Sequence, residues 1–133
     1  MTYTKDNPKL VEDCFDFKNK QTFTGVVKEK CGDIAYYLNG EYHREDGPAI
    51  EYANGTKEWF LNGKQNRTNG PAVEFADGGK KWYLNDKYHR EDGPAVELAS
   101  GYKAWYLNGK YYGCNDYYTN ESWIRFVKLR LLK

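Results

Sequence analysis

The sequence predicts a mainly β protein, an elongated, curled antiparallel sheet of stacked β-hairpin repeats with a C-terminal capping helix and a short N-terminal cap. Three observations carry that expectation. The asparagines of "AYYLNG", "EWFLNG", "KWYLND" and "AWYLNG" fall at Asn39, Asn62, Asn85 and Asn108, each 23 residues after the last, and Gly47, Gly70 and Gly93 keep the same interval. A period of that length marks an array of units that are each too small to bury their own apolar face. Within a unit the side chains alternate as in strands: Val73 and Phe75 against Ala72 and Glu74, then Trp82 and Leu84 against Tyr83 and Asn85. Between the strand-like runs stand Asn54-Gly55, Asp77-Gly78 and Ser100-Gly101, pairs that favour a tight hairpin turn.

The elements follow in order as one domain: an N-terminal cap over 1–23, hairpin repeats over 24–110 and a C-terminal helical cap over 111–133. In "DNPKLVEDCFDFKNK" a short helix from about Pro8 to Asp16 is expected, with Leu10, Val11, Cys14, Phe15 and Phe17 available to cover the first strand. Val27 and Gly32 stand 23 residues before Ile50 and Gly55, so the repeat reaches upstream of the first aromatic strand. Asn39-Gly40, Asn62-Gly63, Asn85-Asp86 and Asn108-Gly109 turn the chain out of each second strand. Pro48, Pro71 and Pro94 sit where the next strand begins and a missing N–H costs least. The nearly identical stretches Tyr42–Gly55 and Tyr88–Gly101 then make "HREDG" the loop that joins one hairpin to the next. After Gly113 the repeat decays. Thr119 or Asn120 can cap a helix whose first turn holds Glu121 and whose later part holds Arg125, Lys128, Arg130 and Lys133. Trp123, Ile124, Val127 and Leu131 share one side of it, which suits a lid over the exposed last strand.

Composition narrows the function classes. Lys and Arg total 20 against 19 Asp and Glu, a formal charge of +1, which leaves no global field to attract nucleic acid or an anionic membrane. Tyrosines number 13 against one methionine, so the core is expected to be built of rings with wet ends. Cys14, Cys31 and Cys114 show no C-x-x-C spacing and read as reduced thiols, with neither a disulfide framework nor a zinc site. No apolar run approaches the roughly 18 residues of a membrane span, and the start lacks the order of a signal peptide. A cytoplasmic protein is expected, and the N-x-[ST] triplets at Asn54, Asn66 and Asn120 then carry no glycan. No catalytic residue, cofactor or metal is assigned: Glu45, Asp46, Glu91 and Asp92 have no nucleophile to serve.

The candidate binding residues lie in repeat columns. Arg44, Arg67 and Arg90 form one. An arginine ladder can hold carboxylates or phosphates bidentately; equally, each guanidinium can stack on a tyrosine of the next hairpin and pair with Glu51, Glu74 or Glu97. His43 and His89 match Asn66 in the middle unit, an interchange that suggests hydrogen bonding rather than acid–base chemistry. Tyr37, Phe60, Tyr83 and Tyr106 make one ring column, with Tyr36, Trp59, Trp82 and Trp105 on the opposite face. Rings on both faces of one sheet require curling, covering or a partner, and Trp, Tyr and Arg dominate binding hot spots. Arg125 belongs to the basic helix, which can meet an acidic partner.

The period, the aromatic strand ending in Asn-Gly-Lys ("WYLNGK", 105–110) and the following turn into a Gly-containing strand resemble the MORN repeat, in the divergent form of small phage and bacterial proteins, over about residues 24–110. Lys57 and Lys80 hold the place of the glycine usual two residues before the key aromatic. The resemblance implies a twisted sheet of hairpins that acts as a scaffold for partners. The expected function is therefore a non-catalytic protein-binding module, with a host defence or regulatory protein as the partner it blocks. The alternative is a nucleotide, nucleic-acid or anionic head-group module using the Tyr and Arg columns.

Overall fold

The computed structural model describes residues 3–5, 8–11 and 23–131. Their dominant feature is an open, eleven-stranded sheet followed by one C-terminal helix. The strands are β1 (Lys9–Val11), β2 (Gly25–Glu29), β3 (Ile34–Leu38), β4 (Glu41–Tyr42), β5 (Ile50–Glu51), β6 (Lys57–Glu58), β7 (Phe60–Leu61), β8 (Lys64–Gln65), β9 (Val73–Glu74), β10 (Lys80–Lys81), β11 (Tyr83–Leu84), β12 (Lys87–Tyr88), β13 (Val96–Glu97), β14 (Lys103–Leu107) and β15 (Lys110–Cys114); α1 spans Asn120–Leu131. The main sheet runs β1-β2-β3-β5-β6-β9-β10-β13-β14-β15, with β4 beside β3, while β7-β8 and β11-β12 form separate hairpins. All pairs are antiparallel except the first: β1 runs parallel to β2. The helix expected from Pro8 thus begins as an edge strand, which pairs with the otherwise open side of β2; residues 12–16 of that expectation lie outside the described chain.

Each repeat contains two hairpins, one more than the sequence suggested. The expected strand over 80–85 divides at Trp82. Trp82 N–H donates into the main sheet, to Ala95 O at 2.7 Å, whereas its carbonyl accepts from His89 N–H at 3.1 Å in the second hairpin. Trp59 does the same between Ala72 O and Asn66 N–H, and Tyr36 between Ala49 O and His43 N–H. The aromatic residue is therefore where the strand changes partner. The switch keeps both backbone groups paired as the chain leaves the sheet.

The two turns differ in kind. Gly55, Gly78 and Gly101 all adopt φ 96°, and Gly55 N–H bonds Tyr52 O while Tyr52 N–H bonds Thr56 O, each at 2.9 Å. This is a three-residue loop with glycine at the bulge. The Asn-Gly pairs make the two-residue turns instead, with Asn39, Asn62, Asn85 and Asn108 at φ 48–50° and the following residue also positive. Asparagine tolerates that left-handed region where most side chains do not. Gly32 at φ 101° repeats the glycine turn one unit upstream, where the sequence trace placed it.

Cross-strand register gives the sheet two unlike surfaces. One row reads Glu51, Lys57, Glu74, Lys80, Glu97, Lys103, opposite charges directly facing across six strands. Each such pair contributes roughly 0.2–1 kcal/mol. The neighbouring row reads Val27, Ala35, Ile50, Glu58, Val73, Lys81, Val96, Ala104. Its Val, Ile and Ala members are all buried. At the C-terminal end Trp105, Trp123 and Val127 form a buried cluster beneath α1, so the helix covers the last repeat as a lid. Thr119 caps it: Thr119 Oγ1 accepts Ser122 N–H at 3.1 Å and Ser122 Oγ accepts Thr119 N–H at 2.9 Å, a reciprocal capping box.

Left-handed asparagine makes a direct prediction. Asn62→Ala should lower stability by about 1–2 kcal/mol in urea unfolding, and Asn62→Gly should restore most of that loss because glycine adopts positive φ freely.

Candidate functional site

The repeated "HREDGPA" is a cassette in which nearly every residue has a structural partner. Arg90 lies over the indole of Trp82, 3.8 Å from Cζ to the ring centre. Its Nε donates to Asp92 Oδ1 at 2.7 Å and its Nη1 to Pro94 O at 3.1 Å. Arg67 repeats this on Trp59 at 3.9 Å, with Asn69 Oδ1 and Pro71 O as acceptors. Arg44 repeats it on Tyr36 at 4.0 Å, with Asp46 Oδ1 and Pro48 O. Each also faces the expected glutamate: Glu51 at 3.8 Å, Glu74 at 3.7 Å and Glu97 at 3.3 Å. The ring, however, belongs to the strand eight residues earlier in the same unit, not to a tyrosine of the next hairpin. The short turn around the Asn-Gly pair folds the cassette back over its own aromatic.

The glycine of the cassette leaves the space that the guanidinium fills. A Cβ on Gly47, Gly70 or Gly93 would come within 2.9, 3.0 and 2.6 Å of the guanidinium carbon of Arg44, Arg67 and Arg90, and none of the three glycines has positive φ. Each guanidinium is therefore held between an aromatic ring and a glycine, with its arginine side chain 18, 22 and 17% exposed. The arginine beside Asp46 holds that exposed carboxyl below the usual carboxylate range, through the hydrogen bond first and the charge second.

The His column has an equally local role. His43 Nδ1 accepts Asn62 N–H and His89 Nδ1 accepts Asn108 N–H, each at 3.0 Å, and Asn66 Oδ1 accepts Asn85 N–H at 3.0 Å. Imidazole Nδ1 and amide Oδ1 place an acceptor at one spot, which explains the interchange. Thr24 Oγ1 performs this service for Asn39 N–H at 2.9 Å. The left-handed Asn62, Asn85 and Asn108 are thus capped by the preceding unit and Asn39 by the start of its own hairpin, and His43 and His89 serve different hairpins. Their Nε2 atoms face Glu45 and Glu91 at 3.7 and 3.5 Å.

The tyrosine column is packed into a ring ladder. Tyr37, Tyr42 and Phe60 follow one another at 5.0 and 5.2 Å, and Tyr83, Tyr88, Tyr106 and Tyr111 at 4.5, 4.9 and 5.4 Å. Gln65 interrupts the ladder at the place of Tyr42 and Tyr88, and donates instead to Glu58 Oε1 at 3.3 Å. Burial first, then a hydrogen bond to Tyr42, Glu58 or Tyr88, pushes the phenols of Tyr37, Tyr52 and Tyr83 well above the ordinary tyrosine value. Arg125 lies on the exposed side of α1.

At the first glycine turn the ligand atoms of Glu29, Cys31 and Asp33 lie within 4.8 Å of one another. Asp33 Oδ1 accepts Ala53 N–H there at 2.7 Å, as Thr56 Oγ1 accepts Ala76 N–H one repeat on. The cluster thus shares the repeat's own bonding between turns.

With these groups engaged, the open feature of the cassette face is a series of grooves. The first, about 490 Å³, lies between the 44–47 and 66–69 segments and is lined by Trp59 and Leu61. The second, about 570 Å³, lies between 67–70 and 89–92 and is lined by Trp82 and Leu84. A third, about 360 Å³, is lined by Leu107 and bounded by Val127 and Arg130 of α1. Sequence reasoning passed over the leucine column Leu38, Leu61, Leu84, Leu107, although its 23-residue interval was as regular as that of the rings. No protein-family model matches this chain, and no curated protein matches its sequence.

Two outcomes follow for the site's internal bonding. His89→Asn should leave stability nearly unchanged, whereas His89→Leu, which strands the Asn108 N–H, should cost about 1–3 kcal/mol in denaturant unfolding. Because folding raises the Tyr37, Tyr52 and Tyr83 pKa values, the stability they contribute is fully present below about pH 10 and is lost as pH climbs through the alkaline range. Ultraviolet titration should show a fraction of the tyrosines ionising only together with loss of the fold.

Proposed function

We propose that this chain is a non-catalytic protein-binding repeat module whose docking surface is the grooved cassette face around Trp59, Leu61, Trp82 and Leu84. The observation that carries the reading is the pair of neighbouring grooves of like construction, each with an aromatic and an aliphatic side chain between polar walls. Such a surface gives a partner apolar anchors within a polar rim, the anatomy of a protein interface. A nucleotide or head-group site built on the arginine and tyrosine columns gains little support by comparison, because the arginines spend their Nε and Nη1 donors on the cassette and most of the tyrosines pack on one another.

The resemblance to MORN repeats supports the same scaffold role. In its biological form the reading makes the chain a phage-encoded, cytoplasmic inhibitor that blocks a host defence or regulatory protein by covering part of its surface.

The test is capture of a defined partner from host lysate, followed by binding of that purified partner. Leu61→Asp combined with Leu84→Asp, in a protein that still melts cooperatively, should weaken binding at least roughly a hundredfold. Arg125→Ala should retain it. Undiminished binding by the doubly substituted protein contradicts the assignment of the face.

A further inference from the structure

The dimensions and charge of the grooved face identify the kind of segment that fits it. Each repeat adds two strands, so successive grooves lie roughly 10 Å apart. A chain in the polyproline-II conformation rises about 9.3 Å in three residues and presents every third side chain on one side. A β-strand presents alternate residues about 6.6 Å apart on one side, and a helix presents its turns about 5.4 Å apart. Neither places nearest like side chains in successive grooves: a helix does so only with every second turn, about 10.8 Å and seven residues apart, whereas polyproline-II does so every three residues. Polyproline-II segments also dock into aromatic-lined grooves by inserting apolar residues between rings, and here Trp59 and Trp82 line the two open grooves.

The walls carry a charge pattern as well. Glu45 and Asp46 form the outer wall of the first groove, Arg67, Thr68 and Asn69 stand between the grooves with Arg67 facing Glu74 at 3.7 Å, and Glu91 and Asp92 form the far wall of the second. Asp46 and Asp92 are already bonded to their arginines, but Glu45 and Glu91 project outward, 84 and 55% exposed. The acidic walls are two repeats apart, roughly 20 Å, and six residues of polyproline-II span about 19 Å. A segment with two cations six positions apart therefore meets both.

Resting on the protein-binding reading above, we propose that the occupant of this face is a proline-rich segment in the polyproline-II conformation, with apolar side chains three residues apart and basic side chains six apart.

Fluorescence anisotropy with a labelled peptide containing Lys-Pro-Leu-Pro-Pro-Leu-Lys tests this. It should bind saturably and at least roughly tenfold tighter than Glu-Pro-Leu-Pro-Pro-Leu-Glu or Lys-Ala-Leu-Ala-Ala-Leu-Lys, which keeps the charges and leucines but favours helix. Glu45→Gln with Glu91→Gln should abolish the preference for lysine over glutamate, and Leu61→Asp with Leu84→Asp should remove binding of all three. Equal binding of the alanine peptide, no saturable binding of the proline peptide, or its displacement by a ten-residue oligothymidylate overturns the proposal. The two readings fail separately. Loss of a protein partner on Leu61→Asp and Leu84→Asp, without binding of the proline peptide, leaves the docking face standing and removes only this occupant.

Discussion

The structure depends on an arginine held between an aromatic ring and a glycine. That contact is repeated three times, on Tyr36, Trp59 and Trp82, and it folds each cassette back over the strand it has just left. A guanidinium over a ring contributes about 0.5–2 kcal/mol depending on desolvation. Its larger effect is geometric, because the same side chain bonds the Asp or Asn two residues on and the proline carbonyl four residues on. Connections that would otherwise sample many conformations, 43–49, 66–72 and 89–95, are fixed against a rigid plane. The backbone of the next strand is thereby delivered in register, so that Ala49, Ala72 and Ala95 accept the N–H of Tyr36, Trp59 and Trp82.

The C-terminal end shows what happens where the arginine is missing. Twenty-three residues after Arg90 stands Gly113, and Trp105 has no cassette of its own. Trp123 and Tyr118 cover it at 5.4 and 5.7 Å between ring centres, and Trp123 Nε1 donates to Arg90 O at 2.9 Å. The helix thus replaces a fourth cassette with rings and ends the array on an apolar cluster. Repeat proteins need such an end, since an uncapped unit leaves its apolar face in water. One consequence is that the open grooves belong to the middle of the array, where both walls are cassettes, and the third is walled by the helix.

Much of this was legible in the sequence because the repeat is strict. The 23-residue interval located the glycine turns, the Asn-Gly turns and the equivalence of His43, Asn66 and His89, and the last fifteen residues carried the pattern of a capped helix. The division of each aromatic strand into two partners was not legible. Strand alternation continues unbroken through Trp59 and Trp82, and only the direction of their N–H and C=O groups reveals the switch. The choice of ring for each arginine was equally hidden, since a partner eight residues back and one in the next hairpin are both consistent with a tight turn. The alternating Glu–Lys row needed the register: the interval places Glu51, Glu74 and Glu97 in one column and Lys57, Lys80 and Lys103 in another, but only pairing shows that they face. Near the N-terminus, an amphipathic stretch too short to decide between helix and strand was settled over Lys9–Val11 by the open edge of β2.

The most direct measurement of the central claim is a double-mutant cycle by denaturant unfolding on Gly93 and Arg90. If the guanidinium is held between Trp82 and Gly93, Gly93→Ala should cost about 1–3 kcal/mol in the native background and close to nothing once Arg90→Ala has emptied the space. An equal cost of Gly93→Ala in both backgrounds would mean that the glycine serves the backbone alone, and the ring–arginine–glycine clamp would no longer account for the repeat.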